Sequence, residues 1–300
     1  MDYIIENGFL KVVVSSRGAE VQNVIDIKSG IEHWWQGDEH FWNGRSPILF
    51  PACGGLWNGE YSYKGVSYNM PKHGFVRQMD WQLVSQDSDS LILSVSSSDS
   101  TLLCFPFRFV LSVRYKLTDN SLRCEYSISN ESVDDPMYYQ IGGHPAIALP
   151  DYSENGITNV GFIQPLISGE PVRVSSLSVV RASEQGCWSN HRYSVPEQNG
   201  LIPISEFTFS NEALIFDSNQ IDGCRILRAD GETSLAEVRS SSPVWLFWQP
   251  QGLLSPFICA EPWYGLCDKI GASVELSKRP YIQTLNRNSK YNGLLWSVSF

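Results

Sequence analysis

Apolar and polar positions alternate most clearly in the middle of the chain. Phe107, Phe109, Leu111, Val113, Tyr115 and Leu117 are separated by polar or small residues. A turn cluster, Thr118-Asp119-Asn120, follows, and the alternation resumes at Leu122, Cys124, Tyr126 and Ile128. A period of two broken by turn residues predicts a long antiparallel hairpin with one dry and one wet face. A second hairpin is predicted from Tyr61 and Tyr63 through Lys64-Gly65 to Val66 and Tyr68. Further strands are expected at Leu10–Val14, Val21–Ile27, Leu91–Val95, Phe207–Phe209, Ile226–Leu227, Val244–Trp248, Val274–Leu276 and Leu294–Phe300. No run places apolar residues at i, i+3, i+4 and i+7 for more than about three turns. Ser96-Ser97-Ser98-Asp99-Ser100 reads as a hairpin loop, and the weakly patterned stretch 151–200 as long surface loops. Many strands with turn signals between them predict an all-β fold, a large twisted β-sandwich. No internal repeat and no long linker divides the chain, so one domain over 1–300 is expected.

Composition adds boundaries to this picture. With 42% hydrophobic and 18% charged residues the chain has an ordinary globular mix. A core of this scale needs no disulfide or metal staple. The net charge is −10, from 22 basic and 32 acidic residues. Phosphate-backbone recognition needs clustered Lys and Arg, so a nucleic-acid partner is not expected, and neither is an anionic membrane surface. The longest unbroken apolar run, Val244 to Trp248, is far short of the roughly 18 residues of a membrane span. Met1-Asp2-Tyr3-Ile4-Ile5-Glu6-Asn7 lacks the basic flank and long apolar stretch of a secretory signal. The expected location is therefore cytoplasmic, with a monomer as the default state and a dimer as the alternative. Seven cysteines show no CxxC pair, which suits reduced, mostly buried thiols.

Nucleotide loops, a GxSxG elbow and an HExxH helix are all missing. The five histidines have no partner at metal-type spacing, so no metal site is expected. Three segments set polar residues among glycines, prolines and aromatics. His144 lies in Ile141-Gly142-Gly143-His144-Pro145, where the flanks fix the backbone and the imidazole is a candidate proton donor. A histidine satisfied by turn hydrogen bonds fits the same residues. Glu261 lies between Pro256-Phe257-Ile258-Cys259-Ala260 and Pro262-Trp263. Such neighbours desolvate a carboxylate, raise its pKa and suit it to general-base work. An exposed strand-end or ion-paired glutamate is the alternative. Trp263 is a candidate for stacking on a sugar ring, or for the core. Finally, Arg45, Lys72, His73 and Arg77 form a basic group able to bond hydroxyls or a phosphate, or merely to pair with local carboxylates.

In order, these motifs are Arg45-Ser46-Pro47-Ile48-Leu49-Phe50-Pro51, His73-Gly74-Phe75-Val76-Arg77, Gly142-Gly143-His144-Pro145 and Glu261-Pro262-Trp263. Together they resemble the aldose 1-epimerase (galactose mutarotase-like) superfamily, above all its LacX-like branch, over nearly the whole chain. The resemblance implies a twisted β-supersandwich with a sugar cleft on one sheet. It also implies cofactor-independent interconversion of sugar α and β anomers. Glu261 would be the general base at the C1 hydroxyl, and His144 the general acid at the ring oxygen. The main branch differs by an Asn-Arg pair and a His-Gly-Gly; here Gly44 precedes Arg45 and the later segment is His73-Gly74-Phe75. Asp217 is the candidate by order for that branch's sugar-binding aspartate, with an exposed turn residue as the alternative. A related branch acts on hexose 6-phosphates through arginines, a role open to Arg45 and Arg77. The expected partner is therefore a small sugar or sugar phosphate. A non-catalytic sugar-binding module on the same sandwich is the alternative function.

Overall fold

The computed structural model describes residues 1–133, 135–153, 159–182, 186–272 and 274–300. Two large antiparallel sheets dominate. A ten-stranded sheet runs in spatial order Glu170–Pro171, Phe162–Ile167, Gly223–Leu227, Ser234–Arg239, Lys290–Ser299, Ser121–Asn130, Phe109–Thr118, Ser90–Ser96 and Gln82–Gln86, with Ile202–Pro203 added beside Phe162–Ile167. A seven-stranded sheet runs Ile141–Gly142, Phe257–Tyr264, Val244–Trp248, Ala213–Phe216, Ser178–Ala182 and Trp188–Ser194, with Ala146–Ala148 also paired to Phe257–Tyr264. A three-stranded sheet of Asp2–Glu6, Leu10–Ser15 and Val21–Asp26 and two small hairpin-sized sheets complete the β-sandwich.

The central hairpin forms as its period requires. Phe109–Thr118 pairs in continuous register with Ser121–Asn130, and Leu111, Val113 and Tyr115 are fully buried while Arg114 is exposed. Their dry face joins the main core, which also takes Leu214, Phe216, Trp245, Phe247, Ile258 and Ala260 from the seven-stranded sheet. That sheet is buried on its other face too. Alternate residues Ala213, Ile215, Val244, Leu246 and Trp263 form a second apolar cluster, and Cys259, Phe257 and Ala146 a third. The period of two thus gives this sheet a core face and a cleft face, both dry.

Four expectations change. Phe207–Phe209 is a turn with Phe207 exposed, because this local apolar pair has no strand partner. Leu276 begins a short 3-10 turn, Leu276–Lys278, and Val274 lies outside any strand. The stretch 151–200 contains strands rather than only loops. The pattern hid them because Trp188–Ser194 is a polar edge strand and the neighbouring Ser178–Ala182 is covered on both faces. Ser98 caps a one-turn helix, Asp99–Leu102, through a reciprocal box with Thr101, where the serine run had suggested a loop. Among the described residues no helix is long and apolar enough to cross a membrane.

Candidate active site

The cleft face of the seven-stranded sheet is laid out in rows by strand register. Ile215 lies opposite Leu246, and Leu246 opposite Glu261. On the far side of Glu261 the ladder is interrupted. Gly142 lies opposite Trp263 and Ala146 opposite Cys259, so the continued register sets His144 opposite Glu261. Pro145 and Pro262 have no N–H to give, so the gap is bridged by Gly143 N–H donating to Pro262 O and Ala260 N–H donating to Pro145 O, both at 3.0 Å. The two glycines before His144 are required by close approach. A Cβ at Gly142 would stand 2.7 Å from Trp263 Cδ1, and one at Gly143 2.3 Å from Trp296 Cδ1.

This arrangement brings His144 Nε2 to 3.2 Å from Glu261 Oε1, with side-chain exposures of only 8% and 2%. His144 Nδ1 and Glu261 Oε2 are buried without a hydrogen-bond partner in the protein. The Trp263 indole lies close enough to favour the carboxylate without completing a hydrogen bond. Burial pushes Glu261 well above the usual carboxylate range, and the nearby Lys72 charge pulls it part of the way back. Burial also pushes His144 down to about 3, with Lys72 and Arg77 adding to the effect. Both partners therefore resist charging.

Aromatic rings fix the imidazole. Trp42 stacks on His144 with centroids 4.9 Å apart, while Trp248 and His73 meet it edge-on at 5.8 Å each. His73 comes from a loop braced against Gly54. Its backbone N–H donates to Gly54 O, and its Nδ1 accepts from Gly54 N at 3.1 Å. That bond leaves Nε2 as the protonated nitrogen. Burial, then the neighbouring His144, keep His73 neutral well below its ordinary pKa.

The surrounding cavity of ≈ 190 Å³ is lined by His144, Glu261, Trp263, His73, Arg77 and Lys72 together with Trp42, Trp248, Glu212 and small or apolar residues. Lys72 pairs with Glu212 at 3.2 Å. The sequence reading did not single out Trp42, Trp248 or Glu212. Trp248 shares strand parity with Leu246, which is the signal that points it into the cleft once the sheet is known.

Arg45 and Asp217 are not among the lining residues. Arg45 Nη1 donates to Gln22 O at 2.6 Å and to Gln36 Oε1 at 3.2 Å, which ties it to the three-stranded sheet. Asp217 accepts two hydrogen bonds from Arg192 Nη2, at 2.8 and 2.7 Å. It is buried by that ion pair rather than exposed in a turn. One metal-capable group exists among the described residues: ligand atoms of His144, Cys259 and Glu261 lie within 4.8 Å of one another. The expectation of no metal site came from local spacing, which does not register a set assembled across two strands.

Known proteins share this architecture. LacX (chromosomal) of Lactococcus lactis subsp. lactis is 27% identical over 301 residues, covering 93% of this chain and 92% of that protein. The crystal structure of a galactose mutarotase related enzyme from Lactobacillus acidophilus superposes with a TM-score of 0.88 at 28% identity, over 100% of this chain and 97% of that one. A galactose mutarotase-like protein from Lactobacillus casei shares the fold, with a TM-score of 0.89 at 24% identity over 100% and 99% of the two chains. The aldose 1-epimerase family model matches residues 1–292, and the chain belongs to that family.

Proposed function

We propose that the chain, acting as one unit over 1–300, is a mutarotase that interconverts the α and β anomers of a hexose. The observation that carries this reading is the buried cross-strand pair, His144 Nε2 and Glu261 Oε1 at 3.2 Å, on the floor of an aromatic-lined cleft. Anomer exchange needs one proton removed from the C1 hydroxyl and one delivered to the ring oxygen. Burial makes the carboxylate–imidazolium form of the pair the high-energy, reactive one; from it Glu261 takes the first proton, His144 gives the second, and the bond between C1 and the ring oxygen breaks to leave the open-chain aldehyde. The pair has then become neutral acid and neutral imidazole. Rotation about C1–C2 presents the other face of the carbonyl, and the two proton transfers reverse as the ring closes. The proton count of the pair never changes, so a single shared proton suffices for a full cycle. The chemistry is proton transfer alone and calls for no redox or carrier cofactor.

Trp248 and Trp263 line the cleft and are the candidates to stack on the apolar side of a pyranose, whereas Trp42 is already stacked on His144. His73 Nε2–H and Arg77 are the hydroxyl-bonding groups of the lining. The charges support a neutral hexose over a hexose phosphate. Arg45 is engaged elsewhere, and the Glu212 carboxylate paired with Lys72 at the cleft would repel a phosphate. Magnetisation-exchange NMR on glucose, galactose and their 6-phosphates tests this. Exchange cross-peaks are expected with a neutral sugar. Exchange confined to a phosphate would overturn the substrate assignment, and full exchange in Glu261→Gln or His144→Asn would overturn the mechanism.

A further inference from the structure

We propose that His144, Cys259 and Glu261 form a capture site for a thiophilic divalent cation, zinc foremost, that shuts down the cleft by occupying its acid–base pair. The inhibitory consequence rests on the mutarotase reading; the binding itself does not.

Strand geometry places the three ligands. Cys259 and Glu261 stand two residues apart on the cleft face of Phe257–Tyr264, and His144 lies opposite Glu261 on the neighbouring segment. Imidazole, thiolate and carboxylate are the three zinc-ligand types, with Zn–N and Zn–O near 2.0 Å and Zn–S near 2.3 Å. A tetrahedral site built from these bonds has N–O edges of roughly 3.3 Å and N–S or O–S edges of roughly 3.6 Å. The 3.2 Å between His144 Nε2 and Glu261 Oε1 already matches the first edge. All three ligand atoms lie within 4.8 Å of one another, so closing the set takes side-chain movement on the order of 1 Å.

Two further observations favour a cation here. Glu261 Oε2 is buried with no hydrogen-bond partner, so the carboxylate has unspent coordinating capacity. Charge also closes: a divalent ion with one thiolate, one carboxylate and one neutral imidazole makes a complex of zero net charge, the form a buried site tolerates best. Metal binding displaces the thiol proton of Cys259 and the carboxyl proton held by the pair to solvent. The apolar packing of Cys259 against Trp35, Ala146 and Phe257 keeps water from competing for the sulfur side. His144 and Glu261 open onto the cleft, so the fourth coordination position faces where the sugar would sit. A soft sulfur in the set selects zinc, cadmium or cobalt over magnesium or calcium.

The experiment titrates the full-length protein with Co²⁺ as a spectroscopic probe and follows anomer exchange with and without Zn²⁺, with Mg²⁺ as the control. One Co²⁺ per chain is expected, with a thiolate-to-metal charge-transfer band and tetrahedral d–d bands. Cys259→Ser should lose the charge-transfer band and bind zinc weaker by about 100-fold, the upper end of what losing even an outer-shell partner costs. Cys267→Ser should keep both properties; Cys267 lines the cleft but stands outside the ligand set. Whatever exchange Cys259→Ser retains should no longer respond to zinc. A parent spectrum without a thiolate band overturns the proposal even if Cys259→Ser fails to fold, as does a band that follows Cys267. Exchange that zinc does not touch sinks this inference and leaves the mutarotase standing. An intact cobalt site in a protein that exchanges no sugar does the reverse.

Discussion

Two acid–base pairs face each other across neighbouring antiparallel strands of this protein, and they have opposite fates. Arg114 and Glu125 are direct cross-strand partners on the central hairpin, 3.8 Å apart, with side chains 47% and 35% exposed. His144 and Glu261 occupy the same relation on the cleft sheet, 3.2 Å apart and 8% and 2% exposed. Water screens the first pair, so the contact is worth little. The second pair is dry, and burial drives both members toward neutrality. Backbone register supplies the same juxtaposition in both places. The cover on the sheet face decides whether the pair is hydrated and screened or dry and reluctant to charge.

The sharpest way to break this comparison is to remove the proton relay. Glu261→Gln and His144→Asn should each lower the anomer-exchange rate by roughly 10²–10⁴-fold, the usual contribution of a positioned acid or base. Far-ultraviolet circular dichroism should be unchanged, because neither substitution touches the ladder. A loss under tenfold in both variants would mean that burial has not created a relay. Next in size is the dry face of the hairpin. Leu111 is fully buried between Val95 and Ile128, so Leu111→Ala should cost about 2–5 kcal/mol in urea unfolding. Exchange per folded molecule should stay at the parent value, since Leu111 does not line the cleft.

The same contrast explains how much the sequence disclosed. The hairpin was legible because one face is wet: polar residues mark the period and fix the register. In Val244–Trp248 both faces are covered, so all five residues are apolar and nothing in the run separates core-facing Trp245 and Phe247 from cleft-facing Leu246 and Trp248. His144 and Glu261 were visible through their unusual glycine and proline neighbours, but their opposition depends on topology across more than a hundred residues. Arg45 and Asp217 were candidates through the motif and the order that the resemblance supplies; their partners in the fold, Gln22, Gln36 and Arg192, are remote in sequence and carry no motif.

Proton linkage gives a smaller, signed effect. In the unfolded chain Glu261 ionises near its ordinary 4.5, whereas in the fold burial holds the proton to higher pH. Ionisation therefore favours unfolding as pH rises above 4.5, and Glu261→Gln escapes that penalty. Its melting temperature should exceed the parent's at pH 7, and the gain should fade toward pH 4. His144 has the opposite window. Unfolded, it takes a proton near 6.5; folded, not until about 3. The His144 contribution to stability is thus lost as pH falls below 6.5, opposing the Glu261 contribution over the same range. His144→Asn should be more stable than the parent at pH 5 and close to it at pH 7.5. Identical pH profiles for the two variants would show that the pair's groups are not separately desolvated.

The smallest effect is expected at the exposed pair, and it is the control that gives the others meaning. Glu125 accepts from Arg123 at 3.3 Å as well as lying 3.8 Å from Arg114, so Glu125→Gln removes the charge attraction to both at once. Side-chain entropy released by freeing two long arginines offsets most of the lost attraction, and salt screens the rest. The cost should be within about 0.5 kcal/mol in urea unfolding and should vanish at 1 M salt. Anomer exchange should not change. A cost above about 2 kcal/mol that survives salt would place the wet face in the same energetic class as the cleft. Cover on the sheet face would then no longer distinguish the two cross-strand pairs.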